Sequence, residues 1–135
     1  MNSRDKGKRG ERELASKLQE YGYDAHRSVQ YCGANGDADL YGLPNIHIEC
    51  KRAERLNIED AMAQSERDAS AVGDIPTVFH RKNGHKWLVT MRMEDWMEMY
   101  ALSGVGDLRR CERCGRILYD DVEFYCDECK GGLYG

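Results

Sequence analysis

Apolar residues recur three to four positions apart in three segments of the chain, which is the spacing of one face of an α-helix. The first segment runs from about Gly10 to Tyr21, and Gly22 follows as a C-terminal cap. The second begins at Asn57, a residue type that caps helix N-termini, and extends to about Ala71. The third covers about Met93–Leu102, and its apolar stripe is expected to form core or a dimer interface. That stripe comprises Trp96, with Met93 and Met97 beside it, Tyr100 and Ala101.

Short segments between these helices have the period and the flanking turn residues of β-strands. Ile46–Lys51 alternates, so that His47, Glu49 and Lys51 share one face and the apolar residues share the other. His47 is expected to be a surface histidine of that strand. The remaining strands are predicted at Asp24–Val29, Asp37–Tyr41, Ile75–His80 and Lys86–Met91. The order helix, three strands, helix, two strands, helix predicts an α/β domain around a mixed sheet.

The length and the apolar runs limit the classes of protein that the chain can belong to. The 135 residues fit one domain with a small appendage, and a glycine-containing break near Gly104–Gly106 divides the chain into residues 1–105 and 106–135. The apolar runs are only a few residues long, which excludes a transmembrane helix. The N-terminus lacks the apolar stretch of a secretory signal, so a cytoplasmic or otherwise intracellular location is expected.

Positive charge is concentrated at the N-terminus although the net charge of the chain is −4. Residues 1–12 contain five basic and two acidic side chains, a local excess of three. This pattern predicts a basic arm that contacts DNA phosphates, and a solvated disordered terminus is the alternative. The predicted DNA-binding residues are Lys6, Lys8, Arg9 and Arg12.

Four of the six cysteines form two Cys-x-x-Cys pairs, Cys111/Cys114 and Cys126/Cys129, separated by eleven residues. Two such pairs complete a tetrahedral four-thiolate site, which predicts a structural Zn²⁺ in a ribbon that metal binding folds. An iron site of the rubredoxin type is the alternative. Arginines near the first pair allow DNA contact, whereas the acidic residues that follow favour a protein contact equally. Cys32 and Cys50 are expected to be reduced thiols.

Asp39, Glu49 and Lys51 form a possible catalytic group. The turn between the two strands brings Asp39 close to the strand face that carries Glu49 and Lys51. Two neighbouring carboxylates repel unless a cation lies between them, and Mg²⁺ binds one or two carboxylates while it retains waters. An ammonium group beside that metal suits phosphodiester hydrolysis. The alternative is an ordinary solvated strand face.

Five motifs follow one another along the chain: Gly7–Leu14, Gly22-Tyr23, Arg27-Ser28, Asp39-Leu40 and Ile48–Lys51. Together they resemble archaeal-type Holliday junction resolvases, which belong to the PD-(D/E)XK nuclease superfamily. The resemblance covers about residues 5–102. It implies a restriction-endonuclease-like mixed sheet flanked by helices, to which the zinc-ribbon tail is added.

The resemblance implies a role for each residue that matches a family motif. Glu11 is the acidic residue of the first helix, Asp39 and Glu49 bind the metal, and Lys51 is the catalytic lysine. The main-chain carbonyl of Cys50 is implied as a further metal ligand. Two positions leave alternatives open: Asp37 is a second candidate for the metal-binding aspartate, and Gln64 either contacts substrate or water or is an exposed helix residue.

These observations predict an endodeoxyribonuclease that requires Mg²⁺ or Mn²⁺ and acts on branched or structured DNA. The resemblance implies a homodimer, since a resolvase places two nicks symmetrically. One alternative is a nuclease of the same fold, encoded by a phage or mobile element, with another DNA substrate. The other is a catalytically silent DNA-binding or zinc-ribbon adaptor protein, against which the intact acidic–lysine group argues.

Overall fold

A computed structural model describes residues 3–28, 38–119 and 123–134 of the chain. Cys32 and Asp37 lie outside the described residues. The chain divides into two compact units, Met1–Met93 and Glu94–Gly135. No helix in the described part of the chain is long and apolar enough to cross a membrane.

The first unit has the predicted order of elements and the predicted mixed sheet. Its strands lie side by side in the order β1 to β5, and every neighbouring pair is antiparallel except β3 and β4. The parallel pair is joined by the second helix, as a crossover connection requires. The elements are α1 (Ser3–Glu20), β1 (His26–Arg27), β2 (Leu40–Tyr41), β3 (Ile46–Arg52), α2 (Ile58–Ala69), β4 (Ile75–Arg81) and β5 (Leu88–Thr90).

Helix α1 covers one face of the sheet. Leu14 and Leu18 form a buried cluster with Leu40, Ile48 and Phe79 from three different strands. This is the apolar face that the alternation of β3 predicts. The periodic apolar positions of α1 therefore dock the helix on the centre of the sheet, where their burial stabilises the unit.

Helix α2 covers the opposite face. Ala61 and Met62 pack against Val78 of β4. The side chain of Asn57 accepts a hydrogen bond from the Asp60 N–H at 3.1 Å, which confirms the predicted N-cap. The face of β3 that bears Glu49 is consequently covered by a helix.

Two expectations about exposure and extent are wrong, and one of the two alternatives for the third helix is excluded. Helix α1 begins at Ser3, so the basic segment expected to be an arm is the first part of this helix. His47 is 1% exposed instead of lying on the surface, because α2 covers its face of β3. The third helix, α3 (Met93–Ser103), contains no buried residue among those described, so its apolar stripe does not form core.

The second unit holds the cysteine-rich tail. A short 3₁₀ turn, Val105–Asp107, follows α3, and the last helix is α4 (Asp127–Tyr134). Arg110 and Ile117 form an isolated antiparallel bridge, and Cys111, Leu118 and Cys126 make a small buried cluster. The border between the compact units falls after Met93, the first residue of α3, whereas the boundary between residues 105 and 106 remains a prediction about domains.

Candidate functional site

Asp39, Glu49 and Lys51 come together where β2 pairs with β3. The Asp39 N–H donates to the Ile48 carbonyl at 2.9 Å, and Asp39 Oδ2 accepts the Cys50 N–H at 2.8 Å. These bonds hold the Asp39 carboxylate against β3. Lys51 Nζ lies 3.6 Å from Glu49 Oε1 on the same strand face. Glu49 is 2% exposed, so this carboxylate does not belong to an ordinary solvated face.

The surroundings of both carboxyl groups disfavour their ionisation. Burial, followed by the charge of Asp39, raises the pKa of Glu49 to about 8, although the Lys51 ammonium opposes the shift. Burial also raises the pKa of Asp39, against the hydrogen bond that it accepts from the Cys50 N–H. A divalent cation at this pair would remove the repulsion, because it favours the charged form of both groups. The donor set therefore fits Mg²⁺.

Glu11 lies near this pair but is held by a different partner. Arg27 Nε donates to Glu11 Oε2 at 2.7 Å, which joins α1 to β1. The charge of Glu11 contributes to the raised pKa of Asp39. The structure thus brings Glu11 into the electrostatic environment of Asp39.

Gln64 contacts the site from α2. Lys51 Nζ donates to Gln64 Oε1 at 3.3 Å, so the ammonium group is held between an amide oxygen and the Glu49 carboxylate. The Gln64 side chain is half-buried, so the alternative that it is an exposed helix residue is wrong. The Cys50 thiol lies on the other strand face, where burial raises its pKa.

The predicted DNA-binding cations all lie on α1, and all of their side chains are exposed. Lys6 and Arg9 line an open cleft of about 310 Å³ together with Arg52 of β3. Lys8 and Arg12 do not line this cleft. These positive charges are therefore arranged along a helix.

His47 and Asp68 also approach Glu49, and the sequence analysis assigned neither of them to the site. One ring nitrogen of His47 and one carboxylate oxygen each of Glu49 and Asp68 lie within 4.8 Å of one another. The alternation of β3 places His47 beside Glu49. Asp68 lies one helical turn after Gln64 and therefore on the same face of α2. This spacing is the sequence signal that indicates a second contact between α2 and the site.

The four tail cysteines bring one sulfur atom each within 4.8 Å of one another. The first pair lies on a tight turn in which the Gly115 N–H donates to the Cys111 carbonyl at 2.9 Å, with a φ of +79° at Gly115. The second pair lies at the start of α4. The sulfurs of Cys114 and Cys126 are 3.6 Å apart. Zinc–sulfur bonds of about 2.3 Å place tetrahedral ligands roughly 3.8 Å apart, so the cluster fits a zinc ribbon.

The surroundings of the tail cysteines favour a thiolate at one position and oppose it at another. Burial opposes ionisation of Cys111, but hydrogen bonds from the backbone of Cys114, Cys126 and Arg113 lower its pKa to about 6. Interaction with the Cys126 sulfur, followed by burial, raises the pKa of Cys129 to about 12. Four thiolates this close together repel one another unless a cation binds them, and such binding defines a structural metal site.

Most of the chain is similar to a family of nucleases. Residues 2–105 match a family model described as "Phage putative PDDEXK endonuclease", a range that includes α1 to α3 and ends before the first cysteine pair. No curated protein matches the chain. One similar solved structure is Hjc, a Holliday junction resolvase from the archaeal hyperthermophile Archaeoglobus fulgidus. It is 22% identical, with a TM-score of 0.49 over 64% of this chain and 72% of that chain.

Proposed function

The chain belongs to the phage PDDEXK endonuclease family, and from this premise we propose that it is a Mg²⁺-dependent endodeoxyribonuclease acting on branched or structured DNA. The nuclease class follows from the family. The metal, the substrate and the role of each residue are parts of the proposal. The sequence motifs shared with junction resolvases support branched DNA as the substrate.

A single observation carries the proposal: the buried Glu49 carboxyl group lies beside Asp39 and within 3.6 Å of Lys51 Nζ. A fold has no structural need for two adjacent carboxyl groups that both have a raised pKa. Perturbed acidic groups of this kind are concentrated at functional sites. Asp39, Glu49 and the main-chain carbonyl of Cys50 would hold the metal, and Glu11 would support Asp39.

Bound Mg²⁺ supplies a Lewis acid for the scissile phosphate and lowers the pKa of water. Lys51 has a separate task in this proposal. Its ammonium group, positioned by Gln64 and Glu49, donates hydrogen bonds to the attacking water or to a phosphate oxygen and offsets the negative charge that develops there. Lys6, Lys8, Arg9 and Arg12 of α1 bind DNA phosphates outside the reacting centre.

The proposal includes a homodimer, because two symmetric nicks in a junction require two active sites. The apolar residues of α3 are exposed, and Trp96 stacks on Tyr100 with their ring centroids 5.2 Å apart. An exposed aromatic stripe of this kind is typical of surfaces that bind another protein. We assign it to the second copy of the chain, and sedimentation of the purified protein tests that assignment.

Cleavage of matched DNA substrates tests the proposed activity. Four-way junction, flap, linear duplex and single-stranded DNA of equal length are incubated with and without Mg²⁺. In the reactions without Mg²⁺ the metal is left out and no chelator is added, because a chelator would also remove zinc from the tail. We expect cleavage of the junction or the flap that requires Mg²⁺ and is lost in Asp39→Asn. The exposed Asp24→Asn, which changes charge equally, is the control and should cut at the wild-type rate.

The same assay separates the alternatives. Preferential cleavage of linear duplex would favour a nuclease of the same fold with another substrate. Binding without cleavage of any substrate, in Mg²⁺ and in Mn²⁺, would contradict the enzyme and favour the silent adaptor. Cleavage by Asp39→Asn at the wild-type rate would contradict the assignment of the site.

A further inference from the structure

His47 is buried in a way that leaves part of its ring without a partner. The residue is 1% exposed, and its Nδ1 lies 3.4 Å from the hydroxyl oxygen of Ser65 on α2. Its Nε2 has no hydrogen-bond partner among the described residues. An unsatisfied buried polar atom destabilises the fold, so a protein that retains one commonly uses it to bind something.

Two carboxylates lie beside this histidine. One oxygen of the buried Glu49 and one of the half-buried Asp68 are within 4.8 Å of each other and of a ring nitrogen of His47. These groups come from two elements, β3 and α2, that pack face to face. One imidazole and two carboxylates form a mixed nitrogen–oxygen ligand set for a divalent cation.

The arrangement around His47 resembles the support that metal-binding histidines receive in general. Such a ring uses its second nitrogen to hydrogen-bond a neighbouring group, which fixes the ring orientation. Ser65 lies at that position here and leaves Nε2 for the ligand. A cation would also stabilise the charged form of Glu49, whose pKa is raised partly by the nearby charge of Asp68.

We propose that His47, Glu49 and Asp68 bind a second divalent cation, distinct from the Mg²⁺ proposed at Asp39 and sharing Glu49 with it. The imidazole makes this second site favour transition metals over Mg²⁺, because Mg²⁺ prefers oxygen ligands. The site depends on the fold of the first unit and does not depend on nuclease activity. It joins α2 to the strand that bears Lys51, so its occupancy stabilises the packing of α2 on β3.

Electron paramagnetic resonance with Mn²⁺ tests this site in the full, zinc-containing chain. We expect two bound Mn²⁺ ions per chain and a ¹⁴N modulation in the electron spin echo that reports an imidazole ligand. His47→Gln should remove the nitrogen signal and one bound ion. His80→Gln, a change of the histidine that pairs with Lys51 in the sheet, is the matched control and should retain both.

A second variant separates a loss of ligation from failed folding of His47→Gln. In Asp68→Asn the new side chain has nearly the size of the old one. This variant should lower the affinity for the nitrogen-coupled Mn²⁺ ion by about tenfold or more. The exposed Asp60→Asn on the same helix should leave that affinity unchanged. A nitrogen signal absent from the wild type, or unchanged in folded His47→Gln, would overturn the proposal.

The experiment also separates this site from the proposed nuclease site. Asp39→Asn should lose one Mn²⁺ ion but retain the nitrogen signal. Asp39-dependent cleavage without any nitrogen signal would leave the proposed function intact and reject the second site. A His47-dependent nitrogen signal in a protein that cuts no DNA would support the second site and reject the proposed nuclease function.

Discussion

At the scale of single residues, the candidate site depends on charged side chains that lie close together and are partly or fully buried. Glu49 is buried, Asp39 accepts a hydrogen bond from the strand beside it, and Lys51 is held between Glu49 and Gln64. Each of these groups would be ordinary on a solvated surface. Burial strengthens their interactions, since the effective dielectric constant is lower than in water.

Lys51→Ala should reduce cleavage by about 10²–10⁴-fold, because the reaction loses the cation nearest to its developing charge. DNA affinity should change little, because the phosphate-binding cations lie on α1. Single-turnover cleavage and equilibrium binding measure the two effects separately. Lys86→Ala, an exposed lysine of the same unit, is the control. Equal losses in affinity and rate would contradict a role for Lys51 in the chemical step.

Glu49→Gln should change how stability depends on pH when no divalent metal is added. The pKa of Glu49 is about 8 in the folded protein against an ordinary 4.5. Its contribution to stability is therefore fully present below about pH 4.5 and is lost as pH rises through about 8. Chemical denaturation from pH 5 to 9 should show wild type losing stability relative to Glu49→Gln.

Metal should reverse this trend, since it binds the ionised carboxylate and competes with the proton. Added Mg²⁺ should stabilise wild type more at pH 8 than at pH 6, and Glu49→Gln should respond less. Glu20→Gln, an exposed substitution on α1, provides the comparison. Parallel pH profiles for wild type and Glu49→Gln would mean that Glu49 titrates normally.

At the scale of elements, the position of α1 depends on a close approach to β3. A Cβ atom on Gly10 would lie 2.6 Å from Arg52 Cβ, whereas one on Gly7 would meet nothing within 4 Å. Glycine therefore has a packing role at one position of this helix and none at the other. The same helix carries Glu11, whose ion pair with Arg27 links α1 to β1.

Gly10→Ala should destabilise the first unit by about 1–3 kcal/mol, because the added methyl group forces α1 away from β3. Gly7→Ala should instead be neutral or stabilise by up to about 1 kcal/mol, since alanine favours the helix. Urea denaturation of the two variants measures the difference. Equal effects of the two substitutions would show that α1 does not pack closely at Gly10.

The basic turns of α1 should determine how DNA affinity depends on salt. Replacing Lys6, Lys8, Arg9 and Arg12 by Gln should weaken binding and reduce the salt slope by about 0.9 for each DNA phosphate that the variant no longer neutralises. Substitution preserves α1, whereas truncation would remove its first turns. The control replaces four exposed cations elsewhere in the unit: Lys17, Arg67, Lys82 and Lys86. An unchanged slope would mean that these side chains do not bind DNA.

At the scale of the whole molecule, the chain combines a sheet-based unit with a tail that is too small to bury a substantial core. The described tail has a buried cluster of only three residues, two of which are cysteines. Segments of this size need a metal or another cross-link to fold. The matched family region ends before these cysteines, so they are an addition to the nuclease pattern.

The purified chain should contain one tightly bound zinc ion, and chelation should unfold residues 106–135 while the sheet remains folded. Cys111→Ser with Cys114→Ser should lose the zinc and retain basic nuclease activity, with altered substrate choice or assembly. Cys32→Ser, outside the two pairs, is the control. Elemental analysis and circular dichroism measure both effects. Loss of all secondary structure on chelation would contradict an independent first unit.

The sequence by itself determined the features that depend on neighbours along the chain. Apolar periodicity predicted the order of helices and strands, the alternation of β3 placed Glu49 and Lys51 on one face, and Asn57 marked the start of α2. The cysteine spacing likewise identified the ribbon. Each of these follows from local backbone geometry, in which the period of the element assigns every side chain to a face.

Only the tertiary structure decided what covers each face. Periodicity could not show that α2 lies over His47 and Glu49, so it could not show that both are buried or that Asp68 meets them. For the same reason it could not decide whether the α3 stripe forms core or lies exposed at the surface. The raised pKa of Glu49 arises from desolvation and from residues distant in sequence. Such properties depend on the packing of whole elements, which no local pattern specifies.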